Sequence, residues 1–224
     1  MPKYLLHFEK REAVRWLGHL DLLRTFERAI RRSKLPIAFS AGYNPRERLV
    51  FASALGTGIT GSEEPFTLEL VESLDPEQIV QRLNLALPEG IRICGCGEVP
   101  PQDARAVLAA YTRGQYEVTC TCEPSCTETS LESAVDAVLR AETLPVARVR
   151  EGKSKTVDIR PGIFFLEYRP GSKSGARCTF DLVAGIGERS AVKPAEVISA
   201  LAVPGLTARR VHRVKLIAEK MADV

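Results

Sequence analysis

Arginine supplies most of the chemistry legible in this 224-residue chain. In SAGYNPRERLVFASA, residues 40–54, the run Gly42, Asn44 and Pro45 makes a stiffened turn, because glycine tolerates unusual dihedrals and proline presets its own. That turn carries Tyr43, Arg46 and Arg48. The two arginines lie two residues apart, so they share a face of an extended segment, with Leu49 and Phe51 on the other. An arginine pair beside an aromatic ring grips phosphate and stacks a base. Upstream, GHLDLLRTFERAIRRSK has the 3.6-residue pattern of a helix. At about 100° per residue, His19, Leu22, Leu23, Phe26, Ala29 and Ile30 gather on one side. Arg24, Arg28, Arg31 and Arg32 fall opposite, with only Asp21 beside them. Such a face binds phosphates or faces water. The candidate nucleic-acid-binding set is therefore Arg24, Arg28, Arg31, Arg32, Tyr43, Arg46 and Arg48. Where helices cover one face of a sheet, the helix set and the turn set can point in opposite directions. Glu63 or Glu64 is available to neutralise the turn arginines.

Groups that give and take protons are few. The histidines are His7, His19 and His212. His19, at a helix start beside a glycine, is the candidate general base for metal-free RNA cleavage. Its wheel position faces the core, and a helix N-terminus disfavours its charged form. A structural histidine is the expected reading, with Asp21 helping to cap the helix. His7 sits on a strand face and His212 in a basic strand. No P-loop, strand-linked G-x-G-x-x-G, H-E-x-x-H or G-x-S-x-G motif occurs. GTGITGSEE, residues 56–64, precedes a strand rather than a helix and so makes a poor phosphate cradle.

Six cysteines and no export signal argue against a disulfide framework. Cys94 and Cys96, Cys120 and Cys122, and Cys126 invite a metal reading, but zinc favours C-x2–4-C spacing. In extended chain Cys120 and Cys122 share the apolar face of Tyr116 and Val118, while Cys94 and Cys96 share the face of Arg92. The pairs should not converge, and the expectation is no metal and no cofactor.

The elements that must position these residues follow a simple order. KYLLHFEK, RLVFASA, EPFTLELVE and GIRICGCGEV read as strands, with LPIAFS either a strand or an approach loop. GHLDLLRTFERAIRRSK and DPEQIVQRLNLAL read as helices, the second with Asp75 as N-cap and Pro76 in its first turn. EVPPQDARAVLAAYTRG reads as a connector. Beyond it GQYEVTCTCE, KTVDIRP, IFFLEYRP, ARCTFDLVAG and RRVHRVKLIAE read as strands, and SLESAVDAVLRAETL and KPAEVISALA as helices. The expected class is α+β, two tandem ferredoxin-like (βαββαβ) domains spanning residues 1–98 and 115–224, joined by a connector at 99–114. No apolar run is long enough to span a membrane. The N-terminus is too charged for a signal peptide, so a cytoplasmic location is expected. Residues 1–60 hold eleven Lys or Arg against five Asp or Glu, and the remainder holds twenty against twenty-three. The basic portion suits a polyanion or an acidic partner.

Gly18-His19-Leu20-Asp21, Gly42-Tyr43-Asn44-Pro45-Arg46 and Gly58 to Glu64 together resemble a bacterial radical SAM-associated domain of unknown function. That domain is found alone or fused behind a cobalamin-binding radical SAM protein. Lys155 to Pro161, KTVDIRP, resembles its second signature. The resemblance implies a radical SAM partner but no settled activity. The chain itself lacks the CxxxCxxC motif of a radical SAM cluster, which would make it the accessory part. The tandem architecture also resembles CRISPR RNA-processing endonucleases of the Cas6 type. Their C-terminal glycine-rich loop has its nearest counterpart here in AGIGERS, residues 184–190, which is short and early. The leading expectation is a non-catalytic accessory module that contacts RNA. The alternatives are an RNA-processing nuclease and a protein-interaction scaffold.

Overall fold

The computed structural model describes residues 1–100, 103–150, 152–187 and 191–219. It divides into two compact units, Met1–Tyr111 with Lys215–Val224, and Thr112–Val214. Ten strands and five α-helices among the described residues make the protein α+β. No helix among these residues is long and apolar enough to cross a membrane.

The first unit runs β1 (Lys3–Lys10), α1 (His19–Ser33), β2 (Leu49–Phe51), β3 (Ile59–Glu69), α2 (Pro76–Ala86), β4 (Ile91–Val99) and α3 (Ala104–Ala109). Its strands stand in the order β4-β1-β3, with β2 paired to β3. These pairings are antiparallel. Period-two alternation sets Tyr4, Leu6 and Phe8 on the inner face, where they meet Phe66 and Leu68 of β3. Leu22, Phe26 and Ile30 of α1 and Ile79 and Leu83 of α2 close this core. At its centre Phe51 packs edge-on against Phe8 and Phe26 and tilted against Phe66, with ring centroids 5.2–5.6 Å apart.

Helix ends follow local chemistry. Asp75 accepts a hydrogen bond from the Glu77 amide at 2.9 Å and starts α2. Helix α1 starts from Gly18, which offers no side-chain cap. Asp21 does not cap it as expected: it sits inside the first turn, where its carboxylate lies 3.6 Å from Arg24. Lys34, in the left-handed region at φ 53°, ends the helix. The fully buried Lys10 fixes the approach to α1 by donating to the carbonyls of Arg15, Leu17 and Gly56 at 3.0, 2.7 and 3.3 Å.

The second unit runs β5 (Tyr111–Thr121), α4 (Glu128–Arg140), β6 (Pro145–Arg150), β7 (Lys153–Asp158), β8 (Ile163–Tyr168), β9 (Arg177–Gly185), α5 (Pro194–Ala200) and β10 (Thr207–Ala218). Its strands stand in the order β10-β5-β9-β8, and β6 and β7 make a separate hairpin. Val118, Cys120, Phe180 and Leu182 pack with Leu131 and Val138 of α4 and Val197 and Ile198 of α5. Thr127 and Ser130 cap α4 reciprocally.

Several segments depart from the expected elements. LPIAFS contributes only two isolated bridges, Ile37 to Leu70 and Phe39 to Glu47. Strand β3 begins at Ile59, inside the glycine-bearing stretch expected only to precede a strand. The expected connector holds α3 and the opening of β5. Strand β6 was not anticipated, since Val146 and Val149 stand three apart and break the alternation that marks a strand.

Candidate nucleic-acid interface

Along α1 the four arginines meet different fates. Arg24 and Arg28 are exposed, one helical turn apart and one turn beyond the exposed Leu20, so the three make a single ridge. Arg24 has only the loose contact to Asp21, and Arg28 has no ion pair among the described residues. Arg31 reaches sideways: its guanidinium holds Glu47 at 2.6 and 2.7 Å. Arg32 donates to the Ala86 carbonyl at 2.6 Å, at the C-terminal end of α2, where helix carbonyls carry partial negative charge. Trp16, in the approach to the helix, is 67 % exposed and carries the Arg15 guanidinium 4.4 Å above its ring. Sequence reasoning passed over Trp16, although a single tryptophan just ahead of an arginine helix was signal enough.

The Asn-Pro loop is closed by its own backbone. Ser40 and Arg46 exchange hydrogen bonds, Ser40 N–H to the Arg46 carbonyl at 2.9 Å and Arg46 N–H to Ser40 Oγ at 3.0 Å. Gly42, at φ 126°, adopts a conformation that L side chains rarely reach. Tyr43 is fully exposed and Arg46 points to solvent. Arg48 differs. Its guanidinium binds the Glu69 carboxylate at 3.1 and 3.3 Å and the Phe39 carbonyl at 3.3 Å. Glu69 also faces Lys3 at 3.6 Å. The carboxylates that answer the basic set are thus Glu47 and Glu69, not Glu63 or Glu64. Because Arg31 holds Glu47, the residue between Arg46 and Arg48, helix and loop are joined at one carboxylate. Leu49 is buried and Phe51 joins the aromatic core.

Beside this loop lies a groove of about 540 Å³. Lys3, Arg46, Arg48 and Arg105 line it with Glu47 and Glu69, and Leu49, Leu68 and Leu108 give it apolar walls. Arg105 comes from α3, so reading that segment as a connector hid a fourth cation. Two of these cations are tied to Glu69, whereas Arg46 and Arg105 are exposed. Apolar walls with unanswered guanidinium groups can receive a flat ring carrying an anionic group.

His19 is half-buried and set edge-on to Phe51 at 5.7 Å, and its Nδ1 has no hydrogen-bond partner among the described residues. His7 lies in a shallow hollow with Glu9, Glu63 and Cys94. Burial pushes its imidazole below 6.5, against the opposing pull of Glu63 and Glu64. His212 is half-buried in β10.

The cysteines correct one expectation. A bulge in the β1–β4 pairing puts Gly95 opposite His7 and Ile93 opposite Phe8, leaving Cys94 extra. Cys94 and Cys96 therefore part company. Cys94 is exposed beside His7, while Cys96 stands opposite Leu6 against the core, where burial pushes its thiol up to about 12. Cys120, Cys122, Cys126 and Cys178 are buried in the second unit. Among the described residues no cluster of three His, Cys, Asp or Glu side chains is placed to hold a metal.

KTVDIRP is a fastening. Asp158 Oδ1 accepts from the Leu144 and Arg160 amides at 2.7 and 3.0 Å, Ile159 is buried, and Arg160 donates to the Leu139 and Ile163 carbonyls. Of AGIGERS, residues 188–190 lie outside the described residues.

These features define an α+β protein with an arginine-rich surface on its first unit. Residues 3–194 match the family described as an uncharacterized protein conserved in bacteria (DUF2344), and the chain belongs to it. No curated protein matches the sequence. Among solved structures the chain is similar to one in a Cbf5-Nop10-Gar1 complex, with a TM-score of 0.53 and 10% identity over 95% of this chain and 48% of that one. It is also similar to a chain of the archaeal box H/ACA sRNP Nop10-Cbf5 complex, with a TM-score of 0.51 and 10% identity over 94% and 46%. An H/ACA RNP bound to a substrate RNA containing 2′-deoxyuridine gives a TM-score of 0.52 and 9% identity over 94% and 46%. At this identity the likeness is one of fold. The chain spans about half the length of each of these chains.

Proposed function

We propose that this protein is a non-catalytic, RNA-binding accessory module of the bacterial cytoplasm that works with a radical SAM enzyme. The observation that carries the RNA reading is the arginine ridge of α1 joined through Glu47 to the loop bearing Tyr43 and Arg46. Guanidinium groups left to solvent beside exposed rings suit a phosphate backbone with unstacked bases. Two of the similar solved structures are described as an sRNP complex and an RNP bound to a substrate RNA, which supports the same reading. The radical SAM partner rests on the resemblance of the glycine-rich signatures. Within each unit the strand orders support a ferredoxin-like plan. In the first, β2 adds to β3 to give fourth-first-third-second, and β10-β5-β9-β8 repeats this, with the β6–β7 hairpin as an insertion.

The test is direct. Replacing Arg24 and Arg28 by glutamine, which spares the structural contacts of Arg31 and Arg32, should weaken binding of a labelled single-stranded RNA. The slope of log affinity against log salt should become shallower by about 1.4, two phosphate contacts' worth. Unchanged affinity and slope would remove α1 from the interface. RNA should stay intact throughout; metal-independent cleavage that is lost in His19→Ala would replace this reading with the nuclease one.

A further inference from the structure

The sheet of the first unit has a second face, turned away from α1 and α2. Tyr4, Leu6 and Phe8 point into the core, so Lys3 and Leu5 alternate to the other side. The register sets Lys3 opposite Glu69 and Leu5 opposite Thr67, and Val50 of β2 meets Thr67 from the other edge of β3. Helix α3 lies against β1 and β3 and walls the groove of about 540 Å³ with Arg105 and Leu108. That volume falls within the span of about 300–1,000 Å³ usual for small-molecule sites. The floor is polar yet sheltered, since Thr67 and Glu69 are each 8% exposed. The charges around it do not balance. Arg31, from outside the groove, holds Glu47. Glu69 alone then faces Lys3, Arg46, Arg48 and Arg105, and it is already shared by Lys3 at 3.6 Å and Arg48 at 3.1 Å. Arg46 and Arg105 have no ion pair among the described residues.

We propose that this groove binds a nucleotide by its terminal phosphate, with Arg46 and Arg105 on the phosphate and the base against Val50 and Leu108. The ligand is a nucleoside monophosphate unit, free or at the end of an RNA strand. A phosphomonoester carries a charge of about −1.5 to −2 near neutral pH, which offsets two guanidinium groups. A lone carboxylate would leave one of them unanswered. The planar fork of arginine meets phosphate oxygens two at a time. Apolar walls around a concave site concentrate its field, so these arginines act on an anion more strongly than they would on a flat surface. Lys3 and Arg48 meanwhile keep the Glu69 carboxylate from repelling the phosphate. Leucine and valine side chains beside guanidinium planes suit the flat face of a base. The inference does not rest on the α1 ridge, and it shares only Arg46 with the surface proposed to contact RNA.

Calorimetric titration of the full chain with adenosine 5′-monophosphate (AMP), adenosine and inorganic phosphate tests the proposal. AMP should bind at least about tenfold more tightly than either fragment, because only AMP engages the cations and the apolar walls together. Arg46→Gln and Arg105→Gln should each weaken AMP about tenfold. Arg105→Lys should recover only part of that loss, since an ammonium lacks the fork. AMP bound no more tightly than inorganic phosphate would reduce the groove to surface charge and overturn the proposal. Parent-like AMP affinity in both glutamine variants would overturn it as well. One labelled single-stranded RNA, with a 5′-phosphate or a 5′-hydroxyl, then separates the two sources. A preference for the phosphorylated strand that Arg105→Gln abolishes assigns the groove to an RNA end. AMP binding without that preference assigns it to a free nucleotide. Neither AMP binding nor a preference between the strands would overturn the proposal, and would leave the α1 reading standing where the RNA still binds. AMP binding with no RNA binding would support the groove and refute the RNA reading alone.

Discussion

Replacing Phe51 by alanine takes one ring out of a knot of four phenylalanines, and the structure sets how that loss compares with losing its arginine neighbours. Phe51 meets Phe8, Phe26 and Phe66 at 5.2–5.6 Å and the His19 ring at 5.7 Å. Truncating a core phenylalanine costs about 3–5 kcal/mol. Phe51 keeps some exposure, so the lower end, about 3 kcal/mol, applies. In a chain of this size that lowers Tm by roughly 6–12 °C. Arg48→Ala removes the hydrogen bonds to Glu69, whose side chain is only 11% exposed. Lys3 remains near that carboxylate and Arg48 is itself 43% exposed, so the loss is about 1–1.5 kcal/mol and a few degrees. In Arg46→Ala both hydrogen bonds with Ser40 survive, because on the Arg46 side they are made by the backbone. Its Tm should move by less than about 2 °C, while RNA affinity falls. Calorimetry of the three variants, paired with RNA binding, checks the order Phe51, Arg48, Arg46. Arg46→Ala melting as low as Phe51→Ala would make the signature a folding device and refute the division between core and interface.

Two further outcomes test other parts of the molecule. Of the six cysteines only Cys94 is exposed. An Ellman titration of the native protein should therefore count one accessible thiol, reacting slowly because burial and the nearby Glu9 raise it, and Cys94→Ser should abolish the signal. In NMR the imidazole of His7 should titrate below 6.5, and Glu63→Gln should lower its midpoint further by removing a charge that favours the protonated ring. With the folded value below the unfolded one, His7 contributes stability that is complete above pH 6.5 and is lost as pH falls through the folded value. A midpoint above 6.5 would contradict the packing around it.

Much of this architecture was legible because it is periodic. Leu22, Phe26, Ala29 and Ile30 recur at helical spacing and are all buried, and Tyr4, Leu6 and Phe8 alternate into the core. What escaped depended on contacts between distant residues. No local pattern links Arg31 to Glu47, or Arg48 to Glu69 twenty-one positions away. The face of Cys94 is decided by one extra residue in a pairing, and a single slip reverses every side chain beyond it. Helix α3, six residues long, is too short to show amphipathic periodicity, so Arg105 went unnoticed. Strand β6 is paired with β7, tied by Arg148 to Glu196 and packed on the core through Val146, but it lacks the alternating apolar stripe on which strand recognition relies.

The buried ammonium of Lys10 bears on how the molecule comes together in time. Three carbonyls that accept from it lie five, seven and forty-six residues along the chain. Closing the longest of these loops costs about 1.7 kcal/mol more entropy than closing the seven-residue one, so the Gly56 carbonyl is expected to arrive last. Until it does, the ammonium keeps its water, because stripping a charge without a full set of acceptors is prohibitive. Final dehydration of this one group is thereby tied to the arrival of the Gly56–Gly58 loop against the start of α1. A clamp that forms after the main folding barrier contributes little to the rate of folding and much to the slowness of unfolding.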